Sequence, residues 1–180
     1  MQNGLLYKTC TYLSSSMENA ECDEWRSKCL SFFKDIGVKV FDPYNKPFMD
    51  DLDESPEFRK KIYEEREKGN LEWVHEHFRN IRAVDLSCCD RADFLTVHIY
   101  PKIASWGAAE EIYTANRAKK PIFITVEGGI KKTPLWLLGV LPPKYFYNNV
   151  DEMLEMIYNI NHRIMPIDSR RWKLLKPELR

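Results

Sequence analysis

Apolar positions along this chain follow two periods that take turns. Short runs of β-formers occupy residues 8–13 (KTCTYL), 38–41 (VKVF), 93–100 (DFLTVHIY), 121–126 (PIFITV) and 144–147 (KYFY), and they read as five strands. Between them the spacing turns helical. From residue 17 to about residue 36, Trp25, Cys29, Leu30, Phe32 and Phe33 share one side, and Gly37 supplies a stop. A helix is expected to open at Ser55-Pro56, since Ser caps well and Pro suits a first turn, and Gly69 breaks it. Residues 71–89 place Trp73, Val74, Phe78, Ile81 and Val84 on one side of the next helix. Residues 106–118, opened by Ser105, turn Ala and Ile inward, residues 134–141 form a short helix, and residues 150–160 the last long one.

Strands alternating with helices predict parallel pairing by right-handed crossovers, with helices on both faces. The expected fold is a flavodoxin-like three-layer α/β sandwich whose five-stranded sheet has the order 2-1-3-4-5. Its ligand crevice lies where strands 1 and 3 diverge. Residues 1–162 form this domain, and residues 163–180, with six bases against two acids, form a basic C-terminal tail.

The charge balance narrows the partners. Lys+Arg and Asp+Glu both number 27 in the 180 residues, so the basic excess of a general nucleic-acid binder is missing. Neutrality favours self-association. The five cysteines, Cys10, Cys22, Cys29, Cys88 and Cys89, form no CxxC pair and suggest neither a disulfide framework nor a zinc site; a reduced, cytoplasmic chain is expected. No run approaches a membrane span and no signal peptide is evident, so neither nucleic acid nor membrane is an expected partner. His75 and His77 are two apart, which on a helix sends them to different sides, and no HExxH pattern exists, so no metal is expected.

Three loops should converge on the crevice. The first carries Tyr12 and Ser14, Ser15 and Ser16; the second carries Lys102 and Ser105 and leads to Gly107, Glu110 and Glu111; the third carries Glu127, Gly128, Gly129 and Thr133. Small residues at 107–109 let a ligand approach the backbone closely, and a carboxylate in the first turns is expected to be kept ionised by the helix dipole. Such a carboxylate is suited to attack a sugar carbon and form a covalent glycosyl intermediate.

The run Asp85-Leu86-Ser87-Cys88-Cys89-Asp90-Arg91-Ala92-Asp93, an apolar strand, Ser105-x-Gly107-x-x-x-Glu111 and then ANRAKKP at 115–121 together resemble the nucleoside 2-deoxyribosyltransferase superfamily, which includes the 2'-deoxynucleoside 5'-monophosphate N-hydrolases. The resemblance spans most of residues 6–126. It implies Glu111 as nucleophile, Tyr12 as the hydroxyl that orients it, and Asp85 as the acid that helps the base depart. It further implies a small nucleoside or nucleotide substrate, no cofactor, and a homodimer or higher homo-oligomer. The hydroxyls of Ser14, Ser15, Ser16, Ser105 and Thr133 would rim a substrate or its phosphate, with Gly107 beside it. Ser105 stands where the transferases have Asp, as in the hydrolases, yet Met17-Glu18-Asn19 stands where the hydrolases carry Arg. Nucleoside against 5'-monophosphate, and hydrolase against transferase, therefore stay open, beside a non-catalytic nucleotide-binding module and an NAD-type glycohydrolase.

Overall fold

The computed structural model describes residues 4–16, 24–44, 55–168 and 170–172. Five strands, β1 (Cys10–Ser14), β2 (Lys39–Phe41), β3 (Phe94–Ile99), β4 (Ile122–Val126) and β5 (Phe146–Tyr147), form one sheet in the order β2-β1-β3-β4-β5. Every pairing is parallel, with Tyr12 opposite Leu95 and Val97 opposite Ile124. The α/β architecture and the strand order are those the hydrophobic pattern predicts.

Both faces of β1, β3 and β4 are buried, which is why these strands read as nearly continuous apolar runs. Side-chain alternation still divides them. Tyr12, Leu95, Val97, Ile112, Ile122 and Ile124 belong to one core, together with Cys88 and Cys89. Leu13, Phe94 and Phe123 point the other way, into a second core with Trp25, Phe33, Met153 and Ile157.

Helices α3 (Leu71–Arg91) and α4 (Trp106–Arg117) cover the first face; α1 (Glu24–Asp35) and α6 (Val150–Asn161) cover the second. α2 (Pro56–Glu67) starts as predicted, with the Ser55 hydroxyl accepting from the Phe58 amide at 3.1 Å. It ends at Gly69, whose φ of +82° is a conformation other residues adopt only with strain. The expected start of the first helix, at residue 17, lies outside the described residues, as does Cys22.

Two expectations need correction. Phe78, grouped with Ile81 and Val84 on one side of α3, is exposed; the buried residues of that helix are Ile81, Asp85, Cys88 and Cys89. The buried stripe occupies only the second half of the helix, where the sheet lies beneath it, and the first half packs on α2 through Phe58 and Trp73. The short helix expected over 134–141 is also cut to a single turn. A 3-10 turn (Ile130–Lys132) precedes the single-turn α5 (Leu135–Leu138), whose Leu137 is fully buried while Leu135 is exposed.

Past α6 the chain returns along the second core. Trp172 is buried against Phe94 and Phe123, and the Arg171 guanidinium donates to the Lys120 carbonyl and the Asn116 side chain. Lys120, after α4, ties that helix to its neighbour α3 on the same face of the sheet. Its ammonium donates to the carbonyls of Cys89, Asp90 and Ala92 at the C-terminal end of α3.

Candidate active site

At the carboxyl edge of β1 and β3, on the face covered by α3 and α4, a glutamate is buried among polar partners. Glu111 is only 3% exposed. The Ser14 hydroxyl donates to its Oε2 at 2.6 Å, and the Tyr12 hydroxyl donates to its Oε1 at 3.2 Å. Tyr12 and Ser14 are two apart on a strand, so both side chains face α4. Arg82 completes the shell. Its Nη1 donates to Glu111 Oε1 at 2.8 Å, and its Nη2 donates to Glu110 Oε2 at 2.8 Å. The same Nη1 stands 3.7 Å from Asp85 Oδ2, one turn along α3. Asp85 is fully buried.

Three predicted residues, Glu111, Tyr12 and Ser14, thus meet directly, and Asp85 joins them through one guanidinium. Arg82 was not anticipated. In sequence it looks like a solvated charge in NIRA, and its usable signal was the i,i+3 spacing to Asp85. Gly107 has a definite reason to be small. A methyl group there would stand 3.2 Å from Arg82 Nη1, so the missing side chain is what lets the guanidinium reach α4.

The electrostatics of Glu111 differ from the dipole argument. Glu111 is the sixth residue of α4, and the field of a helix end fades within the first turn. Burial dominates and pushes the Glu111 carboxyl above the usual range; the Ser14 and Arg82 hydrogen bonds pull it back, while the charge of Asp85 pushes it up again. Burial, followed by the charge of Glu111, drives the Tyr12 hydroxyl well above its usual value, so it stays a donor. Burial pulls Arg82 down, but its hydrogen bonds to Glu111 and Glu110 outweigh this and the net direction is up.

Other predicted residues lie around this shell or away from it. The Ser15 hydroxyl donates to the His98 carbonyl at 2.9 Å. Ser16 is buried, and its carbonyl accepts from the Tyr44 hydroxyl. Ser105 precedes α4 at its cap position with no side-chain cap bond. Thr133 is buried, with its hydroxyl donating to the Ile130 carbonyl at 2.6 Å within the 3-10 turn. Glu127 faces His98 at 3.5 Å, on the other side of the sheet. There a cavity of about 410 Å³ opens among Trp25, His98, Tyr100, Glu127 and Asn149. It does not adjoin Glu111, and His98 is packed in its wall, stacked on Trp25 and bonded to the Thr125 hydroxyl at 2.8 Å.

Among the described residues no group of three or more metal-ligating side chains converges, and no helix is long and apolar enough to cross a membrane. What the arrangement offers chemically is a dry carboxylate with two fixed hydroxyl donors and a cation, beside a second buried carboxyl.

The chain is similar in structure to a 2-deoxyribosyltransferase from the psychrotolerant bacterium Bacillus psychrosaccharolyticus, with a TM-score of 0.55 and 22% sequence identity over 88% of this chain and 97% of that one. A likeness at this identity establishes the shared fold. No protein-family model matches the sequence, and no curated protein matches it either.

Proposed function

We propose that this chain, which shares its fold with a 2-deoxyribosyltransferase and buries Glu111 and Asp85 side by side near the edge of its sheet, cleaves or exchanges the N-glycosidic bond of a nucleoside. The observation that carries this reading is Glu111 held by Tyr12, Ser14 and Arg82 at the carboxyl edge of a parallel sheet, where such folds take their ligands.

In this mechanism Glu111 attacks the anomeric carbon. A bond forms between that carbon and a carboxylate oxygen as the bond to the base nitrogen breaks. The electron pair leaves with the base, and Asp85 supplies the proton that makes it a better leaving group. Water, or an N–H nitrogen of a second base, then attacks the same carbon as the bond to Glu111 breaks, and the proton it sheds returns to Asp85. Two displacements at one centre retain configuration. Glu111, Glu110 and Asp85 gather on the single guanidinium of Arg82. This excess of negative charge supports an uncharged nucleoside over its 5'-monophosphate. The exposed apolar side chains of Leu135, Trp136 and Leu138 support a homo-oligomer, which sedimentation would measure.

The test is the intact mass of the protein after mixing with a panel of nucleosides and 5'-monophosphates. A sugar adduct that disappears in Glu111→Ala is expected, and adding a different free base separates exchange from hydrolysis. No adduct and no released base across the panel would end this reading. The ion pair of Arg82 with Glu111 favours one rival, a non-catalytic nucleotide-binding module, which predicts tight binding with no free base.

A further inference from the structure

Arg82 does something in this site that a nucleophile and an acid do not require by themselves. Two buried carboxyls, Glu111 and Asp85, face one guanidinium nitrogen, at 2.8 and 3.7 Å. Without an intervening cation, two carboxylates in one water-poor site cannot both be ionised, and one keeps a proton. The outer nitrogen of the same guanidinium is fixed by Glu110, whose side chain is 55% exposed. Arg82 itself is mostly covered, and Gly107 leaves the space through which it passes.

We propose that Arg82 is a positioning residue which sets the charge of the nucleophile: it holds Glu111 ionised and separates its titration from that of Asp85, with Glu110 as the outer tether that fixes the guanidinium. The inference rests on Glu111 being the nucleophile, and it adds a control that the bare mechanism does not supply. The groups facing Glu111 are Tyr12 and Ser14 from β1, Arg82, Asp85 and Cys89 from α3, and Glu110 from its own helix. Of these, Arg82 alone carries positive charge. Its removal therefore leaves only neutral donors and like charges around the carboxyl.

The experiment compares the full chain with its Arg82→Gln and Arg82→Lys variants, using the nucleoside that gives the strongest adduct. In Arg82→Gln the acid limb of kcat/KM is expected to move up by about one pH unit or more, the size of a lost ion-pair contribution. That is about a tenfold loss on the acid side, largely regained at higher pH. Arg82→Lys, which keeps the charge, should restore most of the limb. An equal loss at every pH, or an unmoved limb, would overturn the proposal.

A second readout needs no turnover. Thermal unfolding is followed for wild type and Arg82→Gln from about pH 4 to about pH 8. Glu111 without its cation keeps its proton to higher pH in the folded state than in the unfolded one, so stability falls as pH rises. The Tm deficit of the variant should grow with pH; a constant deficit contradicts the proposal even if no nucleoside is turned over. Should Arg82→Gln fail to fold, Gly107→Ala, which displaces the guanidinium without removing it, is expected to shift the limb the same way and by less. No shift in that variant would count against the inference.

Discussion

The Ser14 hydroxyl and the Glu111 carboxylate lie 2.6 Å apart although 97 residues separate them in the chain. This short bond joins the end of the first strand to the second turn of α4. It is charge-assisted when Glu111 is ionised, the class of hydrogen bond about twice as strong as a neutral one.

Ser14→Ala and Tyr12→Phe are expected to weaken catalysis by different amounts. Each removes one donor from a buried carboxylate, worth about 1.5–3 kcal/mol for a bond to a charged group, or roughly tenfold to a hundredfold in rate. The Ser14 bond is 0.6 Å shorter than the Tyr12 bond, 2.6 against 3.2 Å, so Ser14→Ala should cost more. Both variants should move the acid limb of the pH–rate profile upward. Steady-state kinetics across pH checks the order.

The acid limb in the wild-type chain should itself lie above the ordinary carboxylate range, because burial raises Glu111. The sign for stability follows from the same direction. A carboxyl raised in the folded state contributes stability that is fully present below its unfolded value of 4.5 and is lost as pH rises through the folded value. Each pH unit over which the two states differ by a full proton is worth about 1.4 kcal/mol. Glu111→Gln should therefore flatten the decline of unfolding free energy with pH above about 4.5, as read by denaturant titration at several pH values.

Gly107→Ala separates folding from the site. Alanine is the better helix former by about 1 kcal/mol, yet its methyl would press on Arg82 Nη1 at 3.2 Å. The expected outcome is an unchanged or higher Tm together with a lower kcat at neutral pH. A fall in both would mean that the methyl disturbs α4 itself.

Lys120→Met should act on stability first. The ammonium donates to the carbonyls of Cys89, Asp90 and Ala92 and sits at the negative end of α3. Losing these bonds to a charged donor is expected to cost about 2 kcal/mol, or roughly 4–8 °C in Tm for a domain of this size. Differential scanning calorimetry gives the answer directly.

The physics that made the fold legible is local. Strands buried on both faces are written as near-continuous apolar runs, and Ser55 announces α2 because a hydroxyl there meets the Phe58 amide. Glu111 and Tyr12 were legible through motif order. Arg82 was not, since what it meets depends on α3 packing beside α4, and nothing in a single helix reveals what stands opposite. The same cause misplaced Phe78: helical spacing assigns a side, but where the sheet ends beneath the helix is decided by tertiary packing.

The pleat of β1 places Tyr12 and Ser14 on the Glu111 side and Leu13 on the other. An insertion of one residue between Cys10 and Tyr12 would exchange those two sides, sending an aliphatic side chain toward the carboxylate and the hydroxyls toward Trp25 and Phe33. Single-residue length changes in this strand are thus a harsher lesion than any one replacement, because they remove both hydroxyl donors in a single event.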